Sequence, residues 1–244
     1  MATLGIVLVH GKWERPPYAL APLAARLEAD GHRVLSPAMP WALPRPYEQP
    51  LAAAFDAIGG AIDALRAAGC ARIALGGHSL GASAALAWAA QRGRPDALLV
   101  LAPGHFPERL HADGFTASSV AAARAALAAG QHGRLTLADA FQGRARRLRL
   151  LPAPYLDYFA PDGALQLPRN CAALRTPVPL LWVVGTRDAN AALGPDYAYA
   201  HAPAHAASRY LQIDADHVSI PAAAASDAAA WLATLFAEAA QPCH

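Results

Sequence analysis

The chain has 244 residues, 55% hydrophobic and 16% charged, which supports a full apolar core and excludes a disordered chain. A net charge of +2, from 20 basic and 18 acidic residues, leaves no strong field to recruit nucleic acid or an anionic membrane. No run approaches the ~18 consecutive apolar residues of a membrane span, and Met1 to His10 lacks a basic start, so no leader is expected.

Short apolar runs alternate with longer helix-like stretches. Leu4–His10 reads as the first strand, followed by a helix over Ala19–Ala29 and a short strand, Arg33–Ser36. The segment from Pro37 to Pro50 carries five prolines with Trp41 and Tyr47, and predicts a stiff surface loop. In the next helix, Leu51–Ala68, the residues Phe55, Ile58, Ile62 and Leu65 recur every three or four positions on one face. Strand Arg72–Gly76, helix Ala82–Gln91 and strand Ala97–Leu101 follow. Beyond a long interruption come strands Leu180–Gly185 and Arg209–Ile213 and a helix over Ala222–Ala239.

Most of these strands are unbroken apolar runs, the pattern of parallel strands buried on both faces. The order predicts an α/β fold, a mostly parallel sheet of about six strands with helices on both faces. The interruption, His105 to Thr176, is about seventy residues long, where a strand-to-helix connection usually takes ~2–6. It shows a helical stretch, Ser118–Ala129, but no good strand pattern, and its arginines Arg144, Arg146, Arg147 and Arg149 read as a solvated helix face. A mainly helical cap over 105–176, inserted between core segments 1–104 and 177–244, is therefore expected.

The chemistry concentrates in Gly77-His78-Ser79-Leu80-Gly81, directly after a strand and directly before a helix. A serine on so tight a turn is held above the sheet edge, with small neighbours letting the chain fold sharply. Its hydroxyl is a poor nucleophile until a base takes the proton. Of ten histidines, His217 follows the last strand, where a loop at the carboxyl edge brings its ring over Ser79. Asp188 follows strand Leu180–Gly185 at the same edge and would fix the imidazole; Glu108 is the reserve carboxylate, and Asp216 is poorly placed beside its own neighbour. After the first strand, Gly11 permits a turn that aims the Lys12 amide at the same space, giving with the Leu80 amide a two-donor oxyanion hole. The Lys12 side chain reads as exposed, and Trp13 as an alternative donor or a pocket wall. His78 reads as a packing residue.

Other features carry less. His201 and His205 stand four apart, but Pro203 lies between them and no third ligand is evident, so no metal site is expected. Cys70, Cys171 and Cys243 form neither a zinc set nor a disulfide framework, and free thiols suit a cytoplasmic location. Phe106, Phe115, Phe141, Leu156 and Phe159 give the cap more apolar surface than a solvated loop needs, and some of them, Phe106 and Phe159 first, are expected to wall an acyl pocket.

His10-Gly11, Gly77-His78-Ser79-Leu80-Gly81, Asp188 in Gly-Thr-Arg-Asp and His217 in Asp-His together resemble the α/β-hydrolase superfamily, over roughly residues 3 to 104 and 177 to 240. The resemblance implies a nucleophile elbow, a Ser79–His217–Asp188 triad and no cofactor. The chain opens at what would be the family's third strand. The expected activity is hydrolysis of a small-molecule carboxylic ester, or a thioester, through an acyl-enzyme on Ser79. The alternative is a ligand-binding or regulatory protein on the same fold without significant turnover.

Overall fold

The computed structural model of the protein describes residues 3–44, 46–141 and 144–238, the side chains of Phe141 and Glu238 excepted; Cys243 lies outside them. In chain order the elements are β1 (Leu4–Val9), α1 (Ala21–Ala29), β2 (Arg33–Leu35), α2 (Leu51–Ala67), β3 (Arg72–His78), α3 (Leu80–Gln91) and β4 (Ala97–Leu101). Then come α4 (Pro107–Ala112), α5 (Ala117–Ala128), β5 (Leu135–Phe141), β6 (Arg144–Leu150), α6 (Pro152–Phe159) and α7 (Leu167–Ala172). The last are β7 (Leu180–Gly185), β8 (Arg209–Ile213), α8 (Ile220–Ala223) and α9 (Ala225–Glu238).

Six strands form one sheet in the order β2-β1-β3-β4-β7-β8, every pair parallel. Strand side chains alternate between two faces. Val7, Val9, Leu75, Leu98 and Val100 pack towards α2 and α3, whereas Ile6, Leu8, Leu99, Leu101 and Val183 pack towards α1, α8 and α9. The predicted face of α2 is the buried one, with Phe55, Ile58, Ile62 and Leu65 all inside. Helix α3 is buried on every side from Leu80 to Trp88, which explains its alanine-rich, non-amphipathic sequence.

Two expectations about the polar segments are overturned. The arginine cluster lies on a strand, not a helix face. β5 and β6 form a separate antiparallel hairpin, with Asp139 opposite Arg146 and Leu137 opposite Leu148. The proline segment is not a surface loop throughout, since Met39, Trp41 and Tyr47 are buried in the core. Among the described residues no helix is long and apolar enough to cross a membrane.

The Lys12 side chain is also buried, contrary to expectation. Its Nζ donates to Asp139 Oδ1 at 2.7 Å and to the Ala140 carbonyl at 2.9 Å, while Tyr47 donates its hydroxyl to Asp139 Oδ2 at 3.1 Å. Ser119 and Tyr155 take the Ala138 backbone N–H and C=O. The open edge of β5 is thus closed by side chains from outside the hairpin. Replacing Lys12 by methionine should leave the Asp139 charge buried and short of its cation, costing about 3–5 kcal/mol in urea unfolding. A loss under about 1 kcal/mol would show that this pair does not tie the hairpin to the core.

Candidate active site

The site is built on the ends of β1, β3, β4, β7 and β8 and the loops that leave them. At the end of β3 the chain reverses into α3 through Ser79, which has φ 55° and ψ −123°. A non-glycine residue at such an angle is strained and is held there by its surroundings. A Cβ on Gly77 would stand 2.4 Å from the Gly81 backbone, and one on Gly81 would stand 2.0 Å from the Val9 carbonyl oxygen. Only glycine fits at either place, so the spacing of the motif follows from the close approach of α3 to β1 and to its own entry strand.

Ser79 Oγ lies 3.0 Å from His217 Nε2, and His217 Nδ1 lies 2.6 Å from Asp188 Oδ2. The serine hydroxyl therefore donates to one ring nitrogen while the other donates to the carboxylate. Asp188 Oδ1 also accepts the Asn190 amide at 3.0 Å, capping the short 3₁₀ turn Ala189–Leu193. The aspartate fills both the capping role and the imidazole-bonding role. Burial pushes its carboxyl up, but the His217 hydrogen bond and charge, with the Asn190 amide, outweigh this and hold it below the ordinary carboxylate range.

The loop after β4 completes the wall. Ala102 and His105 have positive φ, and between them Gly104 lies so close that a Cβ would stand 2.9 Å from Ser79 Oγ. Ser83 donates its hydroxyl to the Gly104 carbonyl at 2.8 Å and fixes that approach. Gly104 carries no sequence signal beyond its place after Pro103 at a strand exit.

The turn after β1 is fixed by the proline segment. Met39 donates its amide to His10 Nε2 at 3.1 Å, Trp41 donates its indole N–H to the His10 carbonyl at 2.9 Å, and the Trp13 amide donates to the Trp41 carbonyl at 3.0 Å. The Trp13 amide is thereby occupied, which removes it as an oxyanion donor. Among the described residues the amides of Lys12 and Leu80 have no acceptor within the fold.

The remaining expected residues are distributed differently. Phe106 is buried and lines a small apolar cavity with Ala102, Leu167, Trp182, Tyr197 and Tyr210; this cavity borders Asp188 but not Ser79. Phe159 instead is fully buried, stacked on Tyr155 at 4.4 Å between ring centroids and edge-on to His105 at 4.7 Å. Trp13 is half-buried beneath the Arg146 guanidinium, 5.2 Å from its ring centroid. Of the other cap aromatics, Phe115 is exposed, and the side chain of Phe141 lies outside the described residues. Glu108 hydrogen-bonds Tyr197 and Asp216 caps the amides of Val218 and Ser219, so neither carboxylate is bonded to the His217 ring. Among the described residues no three His, Cys, Asp or Glu side chains gather as a metal-ligand set.

Asp188 and Glu14 are both carboxylates held below their ordinary range, Glu14 because the His78 contact and the Ala19 and Gly11 amides outweigh its burial. A depressed carboxyl stabilises the fold above its unfolded value of roughly 4, and that contribution disappears as pH falls through the folded value. The melting temperature should accordingly fall below about pH 4, and less steeply in Asp188→Asn than in wild type. Equal slopes would mean that Asp188 is not linked to folding.

A family model described as the alpha/beta hydrolase family matches residues 6–234. The chain belongs to that family. Among solved structures, DcsB in complex with its substrate analogue is similar with a TM-score of 0.68 at 14% identity, over 97% of this chain and 91% of that one. Est1E from Butyrivibrio proteoclasticus gives 0.62 at 16% identity, over 97% and 89%. An esterase of Pyrococcus furiosus gives 0.57 at 14%, over 96% and 82%. At these identities the likeness speaks for the fold. No curated protein matches the sequence at a significant level.

Proposed function

We propose that the protein is a serine hydrolase that cleaves a small-molecule carboxylic ester, or a thioester, through an acyl-enzyme on Ser79. The observation that carries this reading is the unbroken chain from Ser79 Oγ through the His217 ring to Asp188, at 3.0 and 2.6 Å. In the first half-reaction His217 Nε2 takes the hydroxyl proton as Oγ attacks the carbonyl carbon, and Asp188 stabilises the imidazolium. The amides of Lys12 and Leu80 receive the oxyanion. The imidazolium then gives its proton to the departing alcohol or thiol, leaving the acyl group on Oγ. Water, deprotonated by the same nitrogen, attacks the acyl carbonyl and releases the acid.

Residues 105–176 act as the cap on this core; Phe106 in the cap and Trp13 on the core are the candidate substrate contacts, and Phe159, fully buried, packs the cap instead. Est1E has been solved with ferulic acid bound. That is a property of Est1E, and it supports a small organic acid or its ester as the first class to test here. The experiment is a series of p-nitrophenyl esters and acyl-thioesters of graded chain length. Turnover with an initial burst of the leaving group, at one chain length above others, is expected. A protein that binds the products yet turns over no activated ester would be the ligand-binding alternative.

A further inference from the structure

We infer that Glu14 and His78 form a positioning pair that holds the main chain of His217, keeping its ring aligned between Ser79 and Asp188; the inference rests on the serine-hydrolase reading above. His78 directly precedes the nucleophile in the elbow and is buried. Its Nε2 lies 2.8 Å from the carbonyl oxygen of His217. A carbonyl only accepts, so this nitrogen carries a proton. The other ring nitrogen, Nδ1, stands 3.4 Å from Glu14 Oε1, and because a carboxylate only accepts, that contact requires a proton on this nitrogen too. That same oxygen accepts the Gly11 amide at 2.9 Å, and Oε2 accepts the Ala19 amide at 2.8 Å.

One carboxylate therefore joins the turn bearing Lys12 to the elbow histidine, and the elbow histidine joins both to the loop bearing His217. The start of that loop is held at the exit of β7, where the Arg187 amide donates to the Ala215 carbonyl at 3.1 Å and the Arg187 guanidinium pairs with Asp214. From Asp216 onward the main-chain contacts besides that of His78 are local, Asp216 Oδ1 accepting the Val218 and Ser219 amides, and Val218 is exposed. The groups facing the pair are His10 and Tyr18 on the Glu14 side, and Asp188 and the His217 ring, with centroid 5.2 Å away, on the His78 side. Burial alone would push the Glu14 carboxyl up; the His78 contact and two amides hold it below the ordinary range, so it faces His78 as an anion. Loss of the tether would let the His217 ring drift from Oγ, and a misplacement of about 1 Å can cost on the order of 10²-fold in rate.

The test measures kcat, KM and melting temperature on an activated ester for wild type, His78→Ala, His78→Gln, Glu14→Gln and the Glu14→Gln/His78→Ala double variant. His78→Ala should lower kcat by about 10- to 100-fold with KM within about twofold. His78→Gln, whose amide N–H can reach the same carbonyl, should recover most of that loss. The double variant should be no slower than His78→Ala alone, because the two residues act through one path. A His78→Ala protein that melts lower yet keeps more than half of kcat overturns the inference, as does a His78→Gln protein as slow as alanine, or additive losses in the double variant. Imidazole ¹⁵N NMR of the wild type serves where a variant does not fold: a protonated His78 Nε2 is expected, and an unprotonated one overturns the tether. Wild-type inactivity, or retained activity in Ser79→Ala, would instead strike the hydrolase reading itself.

Discussion

Ser79→Ala is expected to lower kcat by about 10⁴- to 10⁶-fold with the fold intact, the scale seen when a triad nucleophile is removed. The substitution deletes only Oγ, whose hydrogen bond runs to His217. The strained backbone angle is set by Gly77, Gly81 and the approach of α3 to β1, and alanine meets it with the same Cβ that serine has. Circular dichroism and melting temperature should therefore match wild type closely. A variant that keeps a tenth of the ester-cleaving rate would show that Ser79 is not the nucleophile.

Asp188→Asn should cost about 10⁴-fold in kcat, for a reason that differs from loss of the nucleophile. Asparagine can still accept the Asn190 amide and keep the 3₁₀ turn. Opposite His217 Nδ1, however, it presents a neutral group whose N–H₂ favours the tautomer with the proton on Nε2. That nitrogen would then donate towards Ser79 and could no longer accept its proton. Among the described residues no neighbouring acid is placed to substitute, since Glu108 is engaged with Tyr197 and Asp216 with its own loop. Kinetics on one activated ester decide it: a variant within tenfold of wild type would mean that the carboxylate is not required for imidazole catalysis.

Much of the site was legible because its requirements are local. The elbow needs small residues at Gly77 and Gly81 around Ser79, and β3 and α3 announce themselves on either side. Strand exits after β7 and β8 put Asp188 and His217 at one sheet edge, so order along the chain translated into proximity. The hairpin was harder to read. Leu135 and Leu137 stand two apart, but Asp139 falls on their face and Ala138 and Ala140 on the other, so no clean period of two shows. The partner strand carries four arginines, and high charge masks the pairing of Leu148 and Leu150 with Leu137 and Leu135. Lys12 read as exposed because a lone lysine usually is; the Asp139 that buries it is 127 positions away. Trp41 and Tyr47 were hidden by their prolines, which signal a loop but not which side of it faces the core. Glu14 carries no local signal at all, since its partners His78, Gly11 and Ala19 are assembled only by the fold.

The central claim is that Ser79 is an activated nucleophile. Its most direct test is reaction with a fluorophosphonate, followed by intact-mass measurement and peptide mapping. A single covalent adduct on Ser79 is expected, formed much more slowly in Asp188→Asn and absent in Ser79→Ala. No adduct on the folded wild-type protein, or an adduct on another residue, would contradict it.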